Sequence, residues 1–264
     1  MMPTTWAAEG EVRVESEFKL SVPESTAGEL WLWLQSTYPE ECTVGSLSLH
    51  CTHSIEHFFD TYFDNSEGQL ALQKNGVRHR RRLFPDDTQT ELIQIKASGD
   101  SEHIRQEVKF DVRSNQKVNT MYDDHPLLRL IRRSDRDVFV RRLMEYGINA
   151  FSLRPLLNLS QERKRIYISD AEPMITITFD AMTSRKWWVR VHMYEIEIEI
   201  NEQRYTNNPQ EGEYLYQIQA EIFSEITKAF PDIVQNQRPK YTQVFDKIFA
   251  AIPWWKTLLS WDVL

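Results

Sequence analysis

The chain is poor in cysteine. Cys42 and Cys51 are the only two in 264 residues, too few for a disulfide framework and without metal-ligating company nearby, which suits a reducing compartment. Phosphate-cradling segments of the GxxxxGK or GxGxxG kind are missing, and so is a GxSxG nucleophile elbow. His57, His79, His103 and His192 read as surface or hydrogen-bonded side chains rather than metal ligands. A long apolar run is also missing. The opening MMPTTWAAEGEVRVE meets charge before a signal-peptide core could form, so export is not indicated and a cytoplasmic location is expected. The apolar tail from Ile248 to Leu264 is interrupted by Pro253, Lys256 and Asp262, short of the roughly 20 residues a membrane span needs. It reads as a surface for a docked partner. Positive charge is in deficit, with 31 Lys and Arg against 39 Asp and Glu, which argues against a general nucleic-acid or anionic-membrane binder but leaves room for a local basic site.

What is present is alternation. In EVRVESEFKL, residues 11–20, Val12, Val14, Phe18 and Leu20 share one parity, and Glu11, Arg13, Glu15, Glu17 and Lys19 share the other. Strand signals recur at 55–64, at 77–83 after the Asn75-Gly76 turn, at 91–96, at 104–112, at 163–169, at 174–180 and at 188–200. Residues 39–54 read as a loop or a short strand, and 65–72 as a turn leading into further strand. Leu30, Trp31, Trp33 and Leu34 read as a short helix. One or two amphipathic helices are expected within 123–148, one over Leu215 to Ile226, and one over Tyr241 to Phe249. About eight strands joined mainly by hairpins, with helices between them, define an α+β fold around a curved or closed sheet. No repeat or linker marks a boundary. Residues 1–210, with a helical insertion at about 120–150, are expected to form the sheet domain, and 211–264 to pack helices and a Trp-rich tail on it.

The polar parity of these strands is unusual. An ordinary wet face mixes Thr, Ser, Lys and Glu, yet here one strand carries Arg78, Arg80 and Arg82, and another carries Glu195, Glu197 and Glu199. Like charges two residues apart on a strand lie about 7 Å apart and repel, so they need opposite charges between them. A closed barrel with a charged lumen would supply that company. Paired carboxylates suit Mg²⁺ or Mn²⁺, and guanidinium forks and lysines suit phosphate oxygens. Together they point to a polyphosphate site.

Glu15-Ser16-Glu17-Phe18-Lys19 resembles the ExExK signature of the CYTH superfamily, the triphosphate tunnel metalloenzymes. Further segments are similar to family elements in the same order: TYFD at 61–64, Arg78 and Arg80 in GVRHR, Lys96 in LIQIK, Arg105 with Glu107, Arg163 with Arg165, and Glu195 with Glu197 in YEIEIE. PKYTQVF at 239–245 resembles a lysine-tyrosine segment near the family's end. Asn65 after YFD, Lys109 and Arg163 depart from the common pattern. The resemblance implies an eight-stranded antiparallel β-barrel, the triphosphate tunnel, open at both ends with helices packed outside. It implies Mg²⁺ or Mn²⁺ held by Glu15, Glu17, Glu107, Glu195 and Glu197. Lys19, Arg78, Arg80, Lys96, Arg105, Arg163 and Arg165 would bind substrate, and Glu15, Glu17, Lys19 and Arg78 would carry catalysis.

For the glutamates the plain alternative is an exposed strand face, and for the basic residues it is salt bridges to inward glutamates. Arg82, Lys109 and Glu199 fit either role. Trp187, Trp188, Trp254, Trp255 and Trp261 could stack on an organic base but suit packing better. The expected activity is metal-dependent hydrolysis of the terminal phosphate of inorganic triphosphate, with thiamine triphosphate or a nucleoside triphosphate next. The alternatives are a class IV type adenylyl cyclase, releasing pyrophosphate, and a non-catalytic triphosphate or polyphosphate binding module.

Overall fold

The computed structural model describes residues 13–84, 86, 88–98, 104–112, 125–201, 203–204, 209–252 and 254–255. Of Glu15 and Arg105 it describes the backbone alone. His103, Trp261 and the rest of the tail from 256, and the first part of the expected insertion, lie outside the described residues.

Eight strands close on themselves. β1 (Arg13–Val22), β3 (Leu47–Asp64), β4 (Gly76–Leu83), β5 (Gln89–Ser98), β6 (Ile104–Asp111), β7 (Arg154–Ser169), β8 (Pro173–Lys186) and β9 (Val189–Ile200) are all antiparallel to their neighbours. The ladder runs β1-β6-β5-β4-β3-β7-β8-β9, and β9 returns to β1 over Glu17–Val22, which completes the ring. The first half of β1 pairs with β6 and the second half with β9, so closure is staggered, as a barrel requires. Two short strands are additional: β2 (Glu41–Val44) pairs with β3, and β10 (Val234–Gln235) pairs with β1. The stretch 39–54 is thus a hairpin whose second strand runs on without a break through Asp64. The 69–72 segment is the helical turn α2 (Gln69–Leu72) rather than strand.

The barrel is inside out relative to a soluble β-core. Its apolar parity points outward, where helices cover it. Leu20, Ile166, Ile168, Ile177, Ile196 and Ile198 pack against α1 (Glu24–Thr37), through Leu30 and Leu34, and against α4 (Gly212–Ala229), through Leu215, Ile218, Ile222 and Ile226. Val77, Ile93, Ile95, Val108 and Phe110 do the same on the opposite wall, under Leu127, Leu128 and α3 (Arg136–Glu145). The 123–148 region therefore contributes one ten-residue helix and a single 3₁₀ turn at Leu128–Leu130 among the described residues.

The last helix, α5 (Lys240–Ala250), departs from an arrangement of helices packed only outside an open tunnel. Its first turn enters the tunnel, where Pro239, Lys240 and Tyr241 line the cavity. Tyr241 stacks on the inward Tyr62 at 4.7 Å between ring centres and 7° between planes. The Tyr241 hydroxyl donates to Asp64 Oδ2 at 2.8 Å. Asp64 also accepts backbone N–H bonds from Asn65, Leu70 and Ala71 at 2.8, 2.9 and 3.0 Å, so the acid of the YFD segment is a latch between β3, α2 and α5. Gly68, at the start of α2, has φ +68°, and a Cβ there would fall 2.5 Å from Phe245 of α5, so only glycine admits this contact.

Asp64→Ala strands three N–H donors and a buried hydroxyl. It is expected to cost about 3 kcal/mol of stability, read by urea unfolding; a loss under about 1 kcal/mol would show that the latch is dispensable.

Candidate functional site

Alternation sends the charged parity into the lumen, and register sets opposite charges side by side. Asp60 of β3 faces Arg80 of β4, Lys96 of β5 faces Glu107 of β6, and Arg163 of β7 faces Asp180 of β8, whereas Asp180 and Glu195 of β9 bring two acids into register. Lys19 of β1 faces Glu197 of β9, so ring closure itself completes the acidic side. Cross-strand pairing thus turns repelling rows into ion pairs.

On one wall, Arg80 grips Asp60 with two bonds, Nε to Oδ1 at 2.7 Å and Nη2 to Oδ2 at 2.6 Å. Arg78 donates to Asp60 Oδ2 at 3.1 Å and to Gln94 Oε1 at 2.6 Å. Gln94 passes its amide to Glu107 at 2.5 Å, and Glu107 also meets Lys109 at 2.7 Å and Lys96 at 3.5 Å. Towards the other end, Glu56 binds Arg82 and, at 2.6 Å, Arg165.

The acidic pole lies across the lumen. Asp180, Glu195 and Glu197 each place one carboxylate oxygen within 4.8 Å of the other two. Arg163 forks onto Asp180 at 2.8 and 2.7 Å and reaches Glu197 Oε2 at 2.9 Å. Lys19 bridges Glu17 at 2.8 Å and Glu197 at 3.2 Å. Lys240 of α5 contacts Asp180, Glu195 and Glu197 at 2.9, 2.8 and 2.5 Å, and Gln243 donates to Glu195 Oε2 at 2.9 Å. Glu195 Oε1 makes that lysine contact without hydrogen-bond geometry, so a buried carboxylate oxygen is left incompletely satisfied. A hard divalent cation fits this all-oxygen donor set.

Both poles border one cavity of about 250 Å³, lined by Glu17, Lys19, Arg78, Arg80, Lys96, Glu107, Lys109, Arg163, Arg165, Glu197 and Glu199 among others. The structure therefore brings together Lys19, Arg78, Arg80, Lys96, Arg163 and Arg165, and unites Glu17 with Glu195 and Glu197 through Lys19 and Lys240. It places Glu107 among lysines on the basic wall, away from that acidic group. Glu15 and Arg105 face each other in register, and their side chains lie outside the described atoms. Trp187 stacks beside Trp188, which meets Trp254, and Trp255 packs on Phe245 and Phe249; none of the four lines the cavity.

Several participants carry little signal of their own in the sequence, among them Asp60, Asp180, Gln94, Lys240, Glu56 and Gln243. Asp60 and Asp180 are single acids in aromatic or Thr-rich strands, and only their inward parity marks them. Gln94 is uncharged. Lys240 sits in the noted PKYTQVF segment, but only tertiary structure carries it to Glu197.

Burial acts against every ion here, and neighbours decide the outcome. Burial pushes Asp180 up, yet Arg163 and Lys240 outweigh it and hold its carboxyl at about 2. Asp60 is likewise lowered against burial by Arg80 and Arg78, Glu107 by Lys96 and Lys109, and Glu197 by Lys240, Lys19 and Arg163. Glu195 is raised, because burial, reinforced by Glu197, exceeds the pull of Lys240 and Lys19. Lys19 and Lys240 are raised despite burial by the acids they touch.

Comparison with known proteins agrees on the fold. No family model and no curated protein matches the chain. Among solved structures, the PH1819 protein from Pyrococcus horikoshii OT3 aligns at TM-score 0.50 and 15% identity, over 88% of this chain and 99% of that one. HpAC1 from Hippeastrum, described as having a dominant triphosphatase activity, aligns at TM-score 0.39 and 16% identity over 78% and 87%. The Pct1 RNA triphosphatase of S. pombe aligns at 0.41 and 11% over 83% and 82%. At 15% identity, the likeness to the Pyrococcus protein is one of fold.

The depressed acids, Asp60, Asp180, Glu107 and Glu197, contribute stability that is present above their unfolded values and lost as pH falls through the folded ones. Glu195 runs the other way, its contribution lost as pH rises through its raised value. Four outweigh one. Calorimetry should show Tm falling as pH drops from about 4 to about 2, the range below the ordinary carboxylate values; a flat or rising Tm there would contradict the charge network.

Proposed function

We propose that the tunnel binds a triphosphate together with Mg²⁺ or Mn²⁺ and hydrolyses its terminal phosphoryl group, inorganic triphosphate being the first candidate substrate. The observation that carries this reading is the pairing of a basic wall and an acidic pole across one buried cavity. The motif resemblance to the triphosphate tunnel metalloenzymes supports it independently.

Arg78, Arg80, Lys96 and Lys109 would take the phosphate oxygens. Asp60, Gln94 and Glu107 already hold these cations in place, so little reorganisation remains when the anion enters. Arg163, anchored by Asp180, stands where it can neutralise charge on the transferring group. Asp180, Glu195 and Glu197, with Glu17 nearby, would hold the divalent ion. When bound, that ion supplies Lewis-acid polarisation of a phosphoryl oxygen and lowers the pKa of water. The buried lumen keeps bulk water from screening these charges.

Phosphorus-31 NMR with inorganic triphosphate, thiamine triphosphate and ATP, each with Mg²⁺ or Mn²⁺, tests the reading. Orthophosphate and a shortened chain are expected. Pyrophosphate with cyclic AMP would replace hydrolysis by cyclisation, and intact substrates with shifted resonances would leave a binding module. In the active protein, Arg78→Ala should lower kcat by about 10²- to 10³-fold, the typical loss for one charge-stabilising donor. Glu197→Gln should abolish metal-dependent turnover, and full activity in that variant would refute its role.

A further inference from the structure

We infer that Lys240 is the resident cation of the Asp180, Glu195 and Glu197 cluster, and that a divalent metal enters by displacing its ammonium group. This rests on the reading above that the cluster takes a metal.

Lys240 Nζ lies 2.9 Å from Asp180, 2.8 Å from Glu195 and 2.5 Å from Glu197. These are the same three carboxylates whose oxygens gather within 4.8 Å of one another. An ammonium and a divalent ion cannot share that space, because two like charges about 3 Å apart in a low-dielectric interior repel strongly. The cluster therefore holds one or the other.

Exchange needs no movement of the helix. Lys240 carries its charge on a flexible four-carbon stem at the first residue of α5, and that turn is fixed on both sides. Tyr241 is tied to Asp64, and Asn236 is tied to Lys19 O at 2.9 Å and to Ser21 and Gln243 by its side chain. Lys240 and Lys19 both line the cavity, so a displaced ammonium swings towards the space assigned to the anion. Metal entry thus moves one positive charge from the acidic pole to the phosphate site. By reciprocity, an anion that receives Lys240 tightens the metal, and a metal without an anion binds weakly.

The test is Mn²⁺ binding to the resting protein, read from the free-ion EPR signal, in wild type, Lys240→Met and Lys109→Met. Lys109 serves as the control because it lines the same cavity on Glu107, outside the cluster. Displacement predicts at least a tenfold tighter Kd for Lys240→Met and a change below about threefold for Lys109→Met, tenfold being 1.4 kcal/mol. Lys240→Gln, whose amide can still donate to a carboxylate, replaces the methionine variant should that one fail to fold, with the same expected gain. Equal tightening in the Lys109 and Lys240 variants would reduce the effect to general electrostatics and overturn the inference. An unchanged or weaker Kd in the folded Lys240 variants would also overturn it while leaving the metal in the proposed reaction. Absence of Mn²⁺ uptake by every protein would remove both.

Discussion

Mutual neutralisation of buried charge is the constraint on which the rest of this molecule depends. An ion taken out of water costs several kcal/mol unless partners restore what hydration supplied. Inside this ring acids are set against cations, and three of the cations touch more than one acid: Arg163 spans Asp180 and Glu197, Lys19 spans Glu17 and Glu197, and Lys240 spans three carboxylates. Such a lumen is a poor source of stability. What it provides is a set of charges locked in position before any ligand arrives, which is the condition for strong recognition of a polyanion.

Once the charged parity is committed to the inside, the outer face has no choice. The isoleucines of β7, β8 and β9 must be covered by protein, and α1 and α4 supply the cover, while α3 and the 3₁₀ turn before it serve the other wall. The hydrophobic core is thus a sleeve around the barrel, divided into two clusters. Stability and recognition are handled on opposite sides of the same strands, so substitutions in one layer need not disturb the other.

Much of this could be read from residue order. Parity alone separated Glu17 and Lys19 from Phe18 and Leu20, and placed the triplets at 78–82 and 195–199 on one face. The closed sheet followed from charge that could not be left unpaired. What stayed hidden has a physical cause in each case. The Leu70 and Leu72 pair imitates strand alternation, but Asp64 collects the N–H groups of Leu70 and Ala71 and turns the segment into a helical turn. Asp60 and Asp180 act through partners on other elements, Arg78 and Arg80 for the one and Arg163 and Lys240 for the other, a relation that one strand's pattern does not record. Lys240 belongs to a helix whose sequence shows amphipathicity, and nothing in that periodicity says that its first turn is threaded into a tunnel.

The staggered closure of β1 on β9 also governs the order of assembly. Lys19 leaves the ribosome long before Glu197, and the ring has no seam until both strands are present. Pairings so distant along the chain delay folding, since the entropy of closing the intervening loop is lost before the contacts repay it. Until then the outward isoleucines and the edges of β1 and β9 are open to neighbouring chains. The nascent protein therefore passes through a sticky, half-cylindrical state whose lifetime depends on how soon β9 and α4 emerge.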